Sequence, residues 1–193
     1  MYILHDLNEE SIEKDEKIYT KRSQLSYKLE TEEVLKMFFK SSTHTLKREQ
    51  VIPAGRSEVF SFFSDAFNLE QLTPSFLNFQ VTTPAPIDIQ TGTVIEYRIR
   101  LFGVPMFWRT RIASFIPEES FVDNQEKGPY RLWHHTHTFE EVPEGTLMTD
   151  VVRYRLPFGI LGTLAHSLFV RETLNRIFNF RRDSLQQLMG RRA

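Results

Sequence analysis

The sequence predicts an α+β chain in which a curved antiparallel sheet wraps around a long C-terminal helix, with two short helices after the first strand. Three observations carry that prediction. Apolar and polar residues alternate with a period of two from Thr93 to Leu156, broken by short turn segments, which is the pattern of an antiparallel meander. Beyond Pro157 the apolar spacing changes to three and four residues and holds to Met189, the period of an amphipathic helix. Between Gly55 and Pro74 the same spacing recurs in two brief pieces. A sheet with one apolar face and a helix with one apolar stripe bury both when the sheet curves around the helix, and that arrangement leaves a cavity between them.

The elements follow in order. Residues 1–43 hold 16 charged side chains with no Gly and no Pro, too little apolar surface for a core of their own. They are expected to form a charged extension, disordered or a loosely docked helix, with a short helix capped by Thr31 and with Met37 as an alternative start. Residues 44–52 read as a strand ended by Pro53-Ala54-Gly55. Ser57 is placed to cap a helix through Phe63, and Asn68 to Leu72 a second one stopped by Thr73-Pro74. Strands are expected over Phe76 to Val81, Thr93 to Phe102, Met106 to Ile116, Phe121 to Gln125, Tyr130 to Val142 and Thr146 to Leu156. A helix from about 160 to 189 would be roughly 45 Å long, enough to cross the sheet. Its stripe is Leu161, Leu164, Ala165, Leu168, Leu174, Ile177, Phe178, Leu185 and Leu188. Residues 44–189 therefore make one domain, and 190–193 a basic tail.

Composition narrows the functional classes. Lys and Arg number 24 against 25 Asp and Glu, so bulk charge does not favour nucleic acid or an anionic membrane. Cysteine is absent, which removes thiolate catalysis, cysteine-ligated zinc and iron–sulfur clusters. No apolar run is long enough for a membrane-spanning helix, and the acidic N-terminus lacks the features of a secretory signal. A soluble, cytoplasmic protein is expected.

Chemistry concentrates in Trp133-His134-His135-Thr136-His137-Thr138-Phe139. Alternation puts Trp133, His135, His137 and Phe139 on one face, and the two aromatics mark it as the inner one. On the next strand Met148, Asp150, Val152 and Tyr154 share the inner face, and a buried carboxylate needs a partner. The intervening turn brings Asp150 opposite His137 and Phe139, so a carboxylate–imidazole pair is expected. Parity adds Asp123 and Gln125 from one strand, and Trp108, Thr110 and Ile112 from another. His135 and His137 also have the spacing of a metal pair, with Asp150 or Asp123 as the third ligand, but a hydrogen-bonded network is the expectation and no metal or other cofactor is assigned. His134 is expected at the surface and His166 in packing. Arg181, Arg182, Arg191 and Arg192 are expected to complement the negative end of the final helix dipole.

Val51-Ile52-Pro53-Ala54, Glu58 to Phe63, and Asn68 to Pro74 resemble the start of the SRPBCC (START-like) ligand-binding superfamily. Gly128 to Phe139, Asp150 with Tyr154, and Leu156-Pro157-Phe158-Gly159 look like its bacterial cyclase/dehydrase-like branch, sometimes labelled "cell division inhibitor". The resemblance covers about residues 44–189. It implies a helix-grip fold with a deep hydrophobic cavity, in a superfamily whose members bind lipids, sterols, polyketides or quinones and include some cyclases. The expected function is binding of a hydrophobic small molecule by Tyr97, Trp108, Gln125, Trp133, His135, His137, Asp150, Tyr154 and Leu168. A polyketide cyclase or dehydratase using His135, His137 and Asp150 is the first alternative. The second is an interaction module whose extension docks a protein partner or folds back over the cavity.

Overall fold

The computed structural model describes residues 9–39, 42–101 and 103–190. Arg191 and Arg192, and with them most of the basic tail, lie outside the described residues, as does Phe102 at the end of its expected strand. The chain divides into two compact units, one ending at Lys40 and one beginning at Ser41.

Among its described residues the first unit holds one helix, α1 (Glu9–Phe39). It replaces the short helix expected from Thr31, whose hydroxyl donates to the Tyr27 carbonyl one turn back at 2.6 Å instead of capping. Unbroken helix follows from composition: no Gly or Pro interrupts it, and Glu, Lys, Leu, Arg and Gln all favour helix. Residues 19–34 are exposed along its length.

The second unit begins with β1 (Thr43–Ile52) and α2 (Arg56–Phe63). The N-cap is Gly55 rather than Ser57. A 3-10 helix over Ala66–Glu70, capped by Asp65, stands where Asn68 to Leu72 was expected as α-helix. The strand expected from Phe76 shrinks to β2 (Gln80–Val81), because Pro74 starts a 3-10 turn over Ser75–Leu77 that Asn78 ends in the left-handed region at φ 41°. Then come β3 (Val94–Leu101), β4 (Val104–Ile116), β5 (Ser120–Lys127), β6 (Leu132–Val142) and β7 (Gly145–Arg155). All seven strands form one antiparallel sheet in the order β1-β7-β6-β5-β4-β3-β2. Two irregularities in the β4–β5 register, at Arg109/Thr110 and Ile112/Ser114, add the local bend that curves the sheet.

The final helix is three pieces: α3 (Gly159–Ala165), a π-helical turn (His166–Val170) and α4 (Arg171–Met189). The expected leucine stripe fails in its first half, where Leu161, Leu164 and Leu168 are 71, 55 and 59% exposed. The inward stripe there is Gly162, His166 and Val170, continuing into Leu174 and Phe178. Gly162 explains this: a Cβ there would come within 2.1 Å of the Pro157 carbonyl oxygen, so the helix lies too close to the chain before it for a leucine.

Apolar side chains gather in three groups. Val59, Phe60 and Phe63 of α2 pack with Phe121, Phe139, Met148, Leu185 and Met189. Ile95, Tyr97, Ile99, Trp108 and Ile112 form the second group, and Leu46, Val152, Tyr154, Leu174 and Phe178 the third. The tightest constraint on strand pairing is Gly145, at φ 132°, where a Cβ would meet the Ile52 carbonyl oxygen at 2.2 Å. Gly145→Ala is expected to destabilise the domain by about 2–4 kcal/mol, through strained backbone and a clash at the β1–β7 seam. Urea unfolding measures it, and an unchanged midpoint would contradict this packing.

Candidate functional site

The three apolar groups do not fill the space between sheet and α4. A partly open cavity of about 160 Å³ remains, walled by Tyr97, Ile99, Trp108, Trp133, Leu174 and Phe178. Asp123, His135, His137 and Arg181 make its polar end. Strand register places the acids and imidazoles: Asp123 of β5 lies opposite His135 of β6, and His137 opposite Asp150 of β7.

Each imidazole sits between the same two carboxylates. His135 Nε2 is 2.8 Å from Asp150 Oδ1, and its Nδ1 is 3.4 Å from Asp123 Oδ2. His137 Nε2 is 3.2 Å from Asp123 Oδ2, and its Nδ1 is 2.9 Å from Asp150 Oδ1. That last contact is close but badly aligned, so His137 Nδ1 is a buried nitrogen without a well-directed hydrogen bond. The ring centroids are 3.8 Å apart. Burial disfavours the carboxylate form of Asp123, but the charge and hydrogen bond of His135, then those of His137, outweigh it and hold its pKa below the ordinary range. Asp150 is lowered in the same way, by its hydrogen bonds to His135 and His137 against burial. Burial also disfavours imidazolium at His135, and Asp123 followed by Asp150 reverse that and raise its pKa. The site is built to hold positive charge between two carboxylates.

Arg181 lines the cavity, where the sequence had suggested the end of the final helix. It does not serve the helix terminus; its side chain is only 11% exposed, and Nη1 lies 3.6 Å from Asp150 Oδ1. The guanidinium stacks on Phe178 at 5.0 Å, and Nε and Nη1 have no hydrogen-bond partner. The available signal was spacing, since Arg181 falls three residues after Phe178 and four before Leu185 on the buried stripe.

Other expected residues divide. Tyr97, Trp108, Trp133, His135 and His137 all face the cavity. The Tyr97 hydroxyl and the Trp108 Nε1–H both meet Thr110 Oγ1, the latter at 3.1 Å, and burial followed by the Asp123 charge raises the Tyr97 pKa. Asp150 stands behind the imidazoles, away from the cavity. Gln125 is a correction: it clamps the β5–β6 turn, donating to the Tyr130 carbonyl at 2.6 Å and accepting from the Tyr130 N–H at 3.2 Å. Tyr154 is another, its hydroxyl bonded to His166 Nε2 at 2.8 Å away from the cavity. Leu168 is the third, exposed on the outer side of the π-helical turn, and Val170, Thr173 and Ile177 line the cavity instead. His134 is half-buried and bonds Asn124. Among the described residues, Asp123, His135 and His137 form a group able to hold a metal ion, with one ligand atom from each within 4.8 Å of the others.

A curved sheet gripping a C-terminal helix around an apolar hollow defines a START-like helix-grip protein. The chain belongs to the family described as polyketide cyclase / dehydrase and lipid transport, whose model matches residues 52–180. Similar solved structures include protein CV1439 from Chromobacterium violaceum, at 17% identity and TM-score 0.60 over 76% of this chain and 97% of that one. Protein SA2116 from Staphylococcus aureus has 13% identity and TM-score 0.61 over 78% of this chain and 95% of that one. The major latex-like protein 151 of Panax ginseng has 13% identity and TM-score 0.56 over 76% and 97%. At these identities the likeness is one of fold. No curated protein matches. Among the described residues, no helix is long and apolar enough to cross a membrane.

The displaced Tyr154 carries a pH consequence. His166 stacks on His44 with centroids 3.5 Å apart, and burial, then the charges of His44 and Arg171, lower its pKa; burial lowers that of His44. Folded values below 6.5 mean that the unfolded chain binds more protons just below that pH. The stability from this pair is therefore complete above the unfolded pKa and is lost as pH falls below it. His166→Phe should show a smaller loss of stability than wild type between about pH 7.5 and about pH 5.5 in urea unfolding, whereas equal losses would contradict a neutral stack.

Proposed function

We propose that the chain binds a hydrophobic small molecule (a lipid, polyketide, quinone or similar) in the cavity, with an oxygen-bearing head group against Arg181. The observation that carries this is an aromatic-walled hollow ended by a buried guanidinium, ion-paired with Asp150, two of whose nitrogens make no hydrogen bond. Apolar walls with a few convergent polar groups are the usual make-up of a small-molecule site, and the family's description as cyclase, dehydrase and lipid transport supports the same class of guest. Volume limits the fit. A dry cavity of about 150 Å³ holds one benzene, so the enclosed part suits a ring or a short acyl segment, and a longer body leaves through the opening. Burial of apolar guest surface supplies about 2.5 kcal/mol per 100 Å², against about 1 kcal/mol for a neutral hydrogen bond. The walls hold the guest and Arg181 orients it. A second reading, a cyclase or dehydratase, rests on His135 and His137 facing the same cavity beside carboxylates, and it requires conversion of the guest rather than uptake alone.

The chain's 2 tryptophans both line the cavity, so their fluorescence reports occupancy. Naphthoate should quench it, and Thr173→Phe, which fills the cavity from α4, should weaken binding about tenfold or more. Arg181→Leu should weaken naphthoate more than neutral naphthalene. No quenching by either guest, or full affinity in Thr173→Phe, would overturn the binding reading; native mass spectrometry of the purified protein should find a guest, and a chemically altered guest after incubation would favour the second reading.

A further inference from the structure

The closed His–Asp cluster can be bridged by a metal cation as well as by protons. Asp150 Oδ1 is 2.8 Å from His135 Nε2 and 2.9 Å from His137 Nδ1. It bonds His135 Nε2, stands beside His137 Nδ1 without a well-directed hydrogen bond, and does not line the cavity. When those nitrogens carry the protons, His135 Nδ1 and His137 Nε2 present lone pairs. Both are directed at the same atom, Asp123 Oδ2, at 3.4 and 3.2 Å. In that tautomer three electron-rich atoms converge at the wall of the cavity, where a bound cation can replace the protons that otherwise bridge imidazole and carboxylate.

We propose that this convergence is a binding site for a divalent first-row transition ion, ligated by His135 Nδ1, His137 Nε2 and Asp123 Oδ2. The imidazole–carboxylate separations are close to what it needs. Bonds of about 2.0–2.2 Å at tetrahedral angles place ligand atoms about 3.3–3.6 Å apart; these two separations are 3.4 and 3.2 Å, and the three ligand atoms lie within 4.8 Å of one another. The ligand set of two imidazoles and one carboxylate is that of borderline metals such as Zn²⁺ or Fe²⁺ rather than Ca²⁺ or Mg²⁺. Metal-ligating imidazoles characteristically donate their other N–H to a carboxylate, which fixes the tautomer and the ring orientation. Asp150 does this for His135, and it lies 2.9 Å from His137 Nδ1 without a well-directed hydrogen bond, so it is a positioning residue chiefly for the His135 ring. Two carboxylates balance the charge of the ion, and all three ligands face the cavity, so the remaining coordination positions open toward it. The guest-binding reading is not required for this site, because its atoms are placed by strand register alone.

The test uses the full-length protein, stripped with a chelator and titrated with Zn²⁺ by calorimetry, with Co²⁺ absorption as a spectroscopic reading of coordination. Wild type should take up one ion per chain, and Asp123→Asn, His135→Gln and His137→Gln should each lower affinity about 100-fold or more. Asp150→Asn should lower it about 10- to 100-fold while keeping the stoichiometry and the type of Co²⁺ spectrum, an effect that a merely structural role would not produce. His134→Gln, on the opposite face of β6, should leave affinity unchanged. Circular dichroism establishes that each variant folds; should a ligand variant unfold, Zn²⁺ must raise the melting temperature of wild type and not that of the remaining folded ligand variants. Absence of stoichiometric uptake by wild type, or affinities within threefold of wild type in Asp123→Asn and His137→Gln, would overturn the proposal. Naphthoate quenching in the stripped protein separates the two readings, since it persists if only the metal site is wrong and disappears if only guest binding is wrong.

Discussion

Two carboxylates on the apolar side of a sheet impose the constraint on which the rest of this domain depends. Asp123 and Asp150 are each held ionised by the same pair of imidazoles, and the pairing exists only while β5, β6 and β7 keep their register. A slip of one residue would turn His135 and His137 to the other face and leave both acids buried without partners, at a cost far above that of a lost apolar contact. The cluster thus works as a lock on alignment in the middle of the sheet, as Gly145 does at its β1–β7 edge.

The same polar cluster accounts for the cavity. Close packing normally removes voids, because unfilled space forfeits dispersion contacts. Here α4 brings Phe178 and Arg181 to the cavity, and a guanidinium held near Asp150 with nitrogens free of hydrogen bonds is costly to cover with apolar side chains. Bulky rings at Tyr97, Trp108 and Trp133 brace the other walls through edge and tilted contacts, with Trp108 and Trp133 centroids 5.3 Å apart at 90°. Rigid aromatic walls around a charged end resist collapse, and an apolar body with an oxygen-bearing head is complementary to both.

Much of this was readable in the residues. Period-two alternation fixed which side chains of β3 to β7 point inward, so Asp150 could be placed opposite His137 before any coordinates, although its well-formed hydrogen bond goes to His135, and the resemblance carried the helix-grip architecture. Periodicity misled where backbone proximity overruled it. Leu161, Leu164 and Leu168 have the spacing of a core stripe, yet Gly162 faces inward because the chain at Pro157 is too close for a side chain. Gln125 and Tyr154 have inward parity and are consumed by local partners, the Tyr130 backbone and His166. Arg181 was legible as a member of the buried stripe, but its charge suggested a helix end instead.

The sequence by itself determined the order of the elements, the inward face of each long strand and the absence of any thiol chemistry, because these follow from local spacing and inventory. Only the tertiary structure decided which inward polar groups meet at a common point, that one arginine of α4 completes them, and that the leading half of the final helix turns its leucines outward. Those outcomes depend on distances between segments far apart in the chain, set by strand register and by how closely two backbones approach, and no pattern within a single segment encodes them.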